Sequence, residues 1–164
     1  MSVSAKLNPA FDHMVVFGDS LSDTGNAGRF SNRPVWVEQL AASLNVALAP
    51  SLMGGTNFAI GGAKLDAHSD ASSLRAQAGL YLRKGARSGR TLHVVFGGGN
   101  DVLGAIGDPE ASRAIGRAAE SLRSIVADLL APSDATIWKS PVRQQSGLGT
   151  TRRHLPRREK LMGY

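Results

Sequence analysis

The sequence predicts one α/β domain that is built around a parallel sheet. Short β-rich runs alternate along the chain with longer helical stretches, which is the pattern of parallel strands joined by crossover helices. The chain has 164 residues, of which 42% are apolar, and this suits one globular domain with its own core. The pattern holds up to residue 138, so we predict a domain over 1–138 and a separate tail over 139–164.

The strands are predicted at the runs that are richest in β-forming residues. They are 13–18 (HMVVFG), 56–60 (TNFAI), 91–96 (TLHVVF) and 134–138 (DATIW), and 46–49 is a candidate for a shorter strand. Because helical stretches separate most of these runs, the strands are expected to lie parallel in the sheet.

The helices are predicted over 34–44, 72–84 and 109–131. The last one has the clearest signal, because Pro109 suits a first helical position and Asp108 can cap it. Its apolar residues recur at steps of three and four, which is the spacing of one helix face. They are Ile115, Ala118, Ala119, Leu122, Ile125, Val126 and Leu129.

The net charge of +6 is concentrated at one end of the chain. Residues 1–138 hold twelve Lys or Arg and twelve Asp or Glu, whereas residues 139–164 hold seven basic residues and the single acid Glu159. A basic surface that binds nucleic acid or acidic lipid would therefore rest on the tail alone. We expect no nucleic-acid partner for the body.

The sequence shows no membrane-spanning or export signal. No run approaches the roughly 18 unbroken apolar residues of a membrane span, and residues 1–12 lack the charged start and apolar centre of a signal peptide. As written, the chain is expected to be cytoplasmic. It contains no cysteine, which excludes disulfides and thiolate metal sites but does not fix the compartment. No metal-ligand cluster stands out in the sequence.

Three glycine-rich or polar loops follow three predicted strands, and ligands bind at the carboxyl ends of strands in open parallel sheets. The loops begin at Gly18-Asp19-Ser20, at 54–63 (GGTNFAIGGA) and at 97–101 (GGGND). They supply a nucleophile in Ser20 and hydrogen-bond donors for an oxyanion in the N–H of Ser20, the N–H of Gly62 and the amide of Asn100. Turn geometry alone is the alternative explanation for each of these residues, and the coincidence of three such loops after three predicted strands favours the catalytic one.

These three motifs, FGDSLSDTGN, NFAIGGA and GGGND, resemble those of the GDSL or SGNH hydrolases in order and spacing. The resemblance implies a flavodoxin-like, three-layer α/β/α domain that hydrolyses ester bonds without a cofactor. It assigns Ser20 as nucleophile and Gly62 and Asn100 as oxyanion donors. We expect Asp19 to stabilise the turn rather than to act as a general base, and Asp101 to be a second supporting residue. The stretch 29–41 (RFSNRPVWVEQLA) also resembles members that act on lipid-like or carbohydrate esters.

The fourth motif of that family, an Asp-x-x-His that supplies the base, is absent from the sequence. The histidines are His13, His68, His93 and His154, and the residues three places before them are Ala10, Leu65, Arg90 and Thr151. Only His154 lies in the expected region. Neighbouring arginines would disfavour its imidazolium form, so we expect His154 to be a poor base.

The tail lacks the periodicity of a strand or a helix, and Ser, Gln, Gly, Pro and Arg dominate it. We therefore expect the last strand and closing helix of the fold to be missing. A shifted reading frame or a truncated C-terminus is one explanation for this composition, and a native basic tail is the other.

Three functional hypotheses follow from these observations. The leading one is a serine ester hydrolase of the GDSL type. The second is an inactive remnant of such an enzyme that binds acyl or glycan ligands through its loops. The third is a nucleic-acid-binding protein with a basic tail, which predicts binding that weakens steeply with salt.

We predict that the tail after residue 139 is exposed and poorly packed, because it is highly charged and lacks an apolar pattern. Limited proteolysis followed by mass spectrometry should therefore remove 139–164 first and leave the body intact. Protection of the region around His154 would contradict this prediction and would favour His154 as a substitute base.

Overall fold

The computed structural model describes residues 10–65, 70–85 and 89–131. Its strands are β1 (His13–Gly18) and β2 (Thr91–Phe96), and a short 3-10 turn covers Ser51–Met53. Its helices are α1 (Trp36–Leu44), α2 (Leu74–Arg83), α3 (Gly99–Ala105) and α4 (Ala111–Leu130). The predicted strand at 134–138 and the tail lie outside the described residues.

β1 and β2 pair in parallel and in full register, from His13 opposite Thr91 to Gly18 opposite Phe96. Both strands have the predicted bounds. Because the pair is parallel and in register, the loops that follow Gly18 and Phe96 leave the sheet at the same edge. This register is what positions the candidate site.

The side chains of β1 alternate between two hydrophobic cores, one on each face of the sheet. Val15 and Phe17 belong to a core with α2 and α4. Met14 and Val16 belong to a second core with α1. Helices therefore cover both faces of the strand pair, which confirms the predicted α/β/α layering.

The predicted strand at 56–60 does not form, and neither does the one at 46–49. Asn57 makes only isolated bridges, to Val16 and to Pro50. Backbone hydrogen bonds still attach this segment to β1, from the N–H of Val16 to Thr56 (3.1 Å), from that of Phe58 to Val16 (2.8 Å) and from that of Ile60 to Gly18 (3.1 Å). The N–H of Gly18 donates to the Gln77 side chain instead (2.9 Å), so the ladder beside β1 stays incomplete.

The structure also corrects the start of the last helix and adds a helix to the third loop. α4 begins at Ala111, because the Asp108 carboxylate accepts a hydrogen bond from the N–H of Glu110 (2.8 Å) and forms a separate turn before the helix. The motif at 97–101 is not only a loop, since α3 begins at Gly99. Asn100 and Asp101 thus lie in the first turn of α3.

Gln77 on α2 binds both backbone groups of Gly18, at the carboxyl end of β1. Its side-chain oxygen accepts from the N–H of Gly18 (2.9 Å), and its amide donates to the carbonyl oxygens of Gly18 (2.9 Å) and Ser72 (2.7 Å). Gln77 is buried, so these bonds lie away from water. A side chain of α2 therefore fixes the point where β1 ends.

We predict that Gln77→Leu lowers the free energy of unfolding by roughly 1–3 kcal/mol, because the buried N–H of Gly18 loses its acceptor. Urea denaturation measures this change. Gln39→Leu is the matched control, since Gln39 is exposed on α1 and should change stability by less than about 0.5 kcal/mol. Equal effects of the two substitutions would contradict the importance of the Gln77 contact.

Candidate functional site

The candidate site lies at the carboxyl ends of β1 and β2. Three segments meet there, which we call loop 1 (19–26), loop 2 (54–63) and loop 3 (97–98), the last leading directly into α3. The backbone N–H of Ile60 in loop 2 donates to the carbonyl of Gly18 (3.1 Å), so loop 2 is attached to the end of β1.

Ser20 lies in the first turn after β1 and is partly exposed. The carbonyl of Asp19 accepts from the N–H groups of Ser22 and Asp23 (both 3.0 Å), and the Asp19 carboxylate accepts from the N–H of Leu21 (3.0 Å). This tight turn holds Ser20 at the sheet edge. Within the described part of the chain, the Ser20 hydroxyl makes no hydrogen bond.

Asp23 is fully buried and ties loop 1 to loop 2. One carboxylate oxygen accepts from the N–H groups of Gly25 (2.8 Å) and Asn26 (2.7 Å), and the other accepts from Ala27 (3.0 Å) and Gly61 (2.9 Å). These four donors compensate the charge for its loss of hydration. The last of them fixes Gly61, the residue next to Gly62.

Two asparagines add further bonds between the same loops. The amide of Asn57 donates to the carbonyl of Ser22 (2.8 Å) and to the hydroxyl of Thr24 (2.9 Å). The amide of Asn26 donates to the carbonyls of Asn57 and Ala59 (both 2.8 Å). Each loop therefore donates side-chain hydrogen bonds to the other, and these bonds are buried or partly buried.

Gly62 and Asn100 are linked through Ala63. Gly62 is exposed, with a φ of 81° that favours glycine. The Asn100 amide donates to the carbonyl of Ala63 (2.9 Å), and its second N–H has no acceptor among residues 10–65, 70–85 and 89–131. The Asp101 carboxylate accepts from the N–H of Leu65 (3.0 and 3.3 Å). α3 is thereby attached to the end of loop 2.

The histidines of the described strands do not reach this edge. His13 begins β1, and His93 lies in the middle of β2, where its Nε2 is 3.2 Å from the Tyr81 hydroxyl. Burial lowers the pKa of His93. His68 and His154 lie outside the described residues, so the prediction for His154 stays a prediction.

A cavity of about 270 Å³ lies between α3 and α4, and Ser20 does not line it. Its charged lining residues are Lys64, Asp101, Asp108 and Arg117. Ser20 instead follows the carboxyl end of β1 and is partly exposed. In the described part of the chain, no helix is long and apolar enough to cross a membrane.

Sequence reasoning missed Asp23, Asn26, Asn57 and Gln77. Asp23 and Asn26 lie in the same motif as Ser20, and Asn57 lies in the second motif. Polar residues that flank a predicted strand end are a signal of loop-closing hydrogen bonds. Gln77 had no comparable signal, because it lies on a helix far along the chain.

A family model of the GDSL-like lipase/acylhydrolases matches residues 14–143, which is most of the chain. The chain belongs to this family. Membership implies the SGNH hydrolase fold, and the parallel strand pair with its flanking helices agrees with it. The description of the family names lipases and acylhydrolases, which supports a hydrolase that acts on ester bonds.

Two curated proteins are similar to this GDSL-family chain. Lipase 1 of Photorhabdus luminescens is 33% identical over 144 residues, which cover 79% of this chain and 22% of that protein. The phosphatidylcholine-sterol acyltransferase of Aeromonas hydrophila is 47% identical over 53 residues, which cover 23% of this chain and 16% of that protein. The chain thus spans about a fifth of the length of the curated relatives it matches.

We predict that Asp23→Asn lowers the free energy of unfolding by roughly 2–4 kcal/mol, because the new amide group turns two N–H donors toward backbone N–H groups. Chemical denaturation at neutral pH measures this change. Asp108→Asn is the matched control, since Asp108 is exposed and accepts one backbone hydrogen bond. The interpretation of Asp23 as the residue that closes loops 1 and 2 fails if both substitutions have small, equal effects.

Proposed function

We propose that this GDSL-family chain carries the nucleophile and oxyanion site of a serine hydrolase that acts on carboxylic esters. Ser20 attacks the carbonyl carbon of the ester. The N–H of Ser20, the N–H of Gly62 and the amide of Asn100 stabilise the negative oxygen of the tetrahedral intermediate. The observation that supports the proposal is the hydrogen-bonded set of loops at one sheet edge, in which Ser20 is partly exposed and Gly62 is exposed.

The hydrogen bonding of Asn100 supports its role as a donor. Its bond to the Ala63 carbonyl orients the amide, and the second N–H is left for an oxyanion. Preorganised donors of this kind stabilise developing charge without reorganisation during the reaction. Asp101 supports the arrangement by fixing the start of α3 to Leu65.

Attack by Ser20 also requires a group that takes its proton. The base of the family, the histidine of an Asp-x-x-His, has no counterpart in this sequence. Without it Ser20 stays a neutral, weakly nucleophilic alcohol near neutral pH. The donors cannot replace the base, because they stabilise the intermediate but do not accept the proton.

The names of the two relatives suggest an ester of a fatty acid as the substrate class. One relative is a lipase and the other an acyltransferase that acts with phosphatidylcholine and a sterol, according to its name. We propose a lipid-like or other small ester as the substrate of this site, with no cofactor and no nucleic-acid partner.

The absence of Asp-x-x-His also favours a second candidate function. In that case the chain is an inactive remnant that binds acyl or glycan ligands through the same loops. Binding then depends on Gly62 and Asn100, and turnover does not depend on Ser20.

We predict that the purified chain hydrolyses a short-chain nitrophenyl ester feebly or not at all. In serine hydrolases, loss of the catalytic histidine lowers turnover about a millionfold and leaves roughly 10³–10⁴ over water. The assay compares the chain with Ser20→Ala, and Ser43→Ala on the exposed side of α1 is the matched control. A small rate that falls with Ser20→Ala but not with Ser43→Ala supports the proposed site.

Robust turnover that Ser20→Ala abolishes would show that another base exists in the chain. His154→Ala and His68→Ala then identify which histidine supplies it. A measurable rate that is the same for the chain and Ser20→Ala would contradict the role of Ser20, whereas no rate in either protein would favour the inactive remnant.

A further inference from the structure

Phe30 lies against loop 2 although most of its side chain is exposed. Its side chain is 59% exposed, yet the outer edge of its ring lies on Gly61. A Cβ atom at Gly61 would lie 2.2 Å from Cζ and 2.3 Å from Cε2 of that ring. Only a glycine at position 61 therefore allows the ring to come this close.

An ion pair holds the segment that carries Phe30. The Arg29 guanidinium binds both carboxylate oxygens of Glu38 (2.7 and 3.0 Å) and also donates to the carbonyl of Arg33 (3.2 Å). The Glu38 carboxylate also accepts from the N–H of Val35 (2.7 Å). The bond to Arg29 lowers the pKa of Glu38, so the pair stays charged at neutral pH. Planar two-point pairing of this kind fixes geometry as well as charge.

The ring borders the proposed oxyanion loop. Gly61, which it contacts, donates to Asp23 and precedes Gly62. The Phe30 ring is held in place and left exposed. Covering it with an apolar ligand favours binding, because apolar surface is removed from water. Two further exposed aromatics lie at the same sheet edge: Trp36 packs edge-on against Phe96 (5.5 Å between ring centres) and donates to Ser22 (3.2 Å).

We infer that Phe30 is the substrate-contacting wall of this site and that it selects esters with a long apolar chain over acetyl esters. This inference rests on the proposed function. The chain of the ester covers the Phe30 ring while its carbonyl lies at Gly62 and Asn100. Gly61 and the Arg29–Glu38 pair keep the ring at the distance that this contact requires.

The test measures binding rather than turnover, because the chain is expected to be a feeble catalyst. The probes are trifluoroacetone and a trifluoromethyl ketone with an octyl chain, each titrated by fluorine NMR below its aggregation concentration. Phe30→Ala should weaken binding of the octyl ketone about tenfold and leave trifluoroacetone unchanged within about twofold. Phe30→Leu should retain most of the affinity for the octyl ketone.

Two control variants complete the design, Arg33→Gln for Arg29→Gln and Leu130→Ala for Phe30→Ala. Arg29→Gln should lose part of the preference for the octyl ketone, whereas Arg33→Gln removes the same charge from the same segment and should keep it. Leu130→Ala removes an exposed apolar side chain at the end of α4 and should change neither affinity.

The outcomes separate this inference from the proposed function. The inference is overturned if the octyl ketone does not bind, or if Phe30→Ala weakens both probes equally or neither. Asn100→Ala tests the oxyanion site, since it should weaken both probes alike. A selective loss in Phe30→Ala without any loss in Asn100→Ala supports the apolar wall and contradicts the oxyanion donor.

Discussion

The buried carboxylate of Asp23 is the interaction on which the candidate site depends. A fully buried charge is costly unless it is hydrogen-bonded, and Asp23 meets this requirement with four backbone N–H groups from two loops. Because Gly61 supplies one of them, the carboxylate has all four hydrogen bonds only when loop 2 lies against loop 1. The same buried group therefore stabilises the fold and the candidate site.

Several interactions also fix the carboxyl end of β1. Gly18 pairs with Phe96 in the sheet, binds Gln77 through both its N–H and its carbonyl, and accepts from Ile60. A Cβ at Gly18 would lie 2.8 Å from the Phe96 carbonyl oxygen, so a larger residue would push the strands apart. The turn that presents Ser20 therefore starts from a point fixed by a strand, a helix and a loop.

The proposed site separates two requirements of serine hydrolysis. Groups that stabilise negative charge come from backbone and amide N–H groups, which short glycine-rich loops can supply locally. The proton acceptor must be a titratable side chain brought to Ser20 from elsewhere, and the sequence has no Asp-x-x-His to do this. The proposed site therefore has donors that can bind an ester but lacks the Asp-x-x-His base that makes hydrolysis fast.

The sequence by itself determined the α/β class, both described strands and the positions of Ser20 and of the motif 97–101 after the ends of β1 and β2, because periodicity and glycine-rich turns are local properties. It did not determine that 56–60 forms no regular strand or that α3 begins at Gly99, since the bond from Gly18 to Gln77 and the left-handed Gly98 decide these points. Only the tertiary structure decided the partners of Asp23 and Gln77 and the contact of Phe30 with Gly61. These pairs are distant in sequence, and packing of separate segments brings them together.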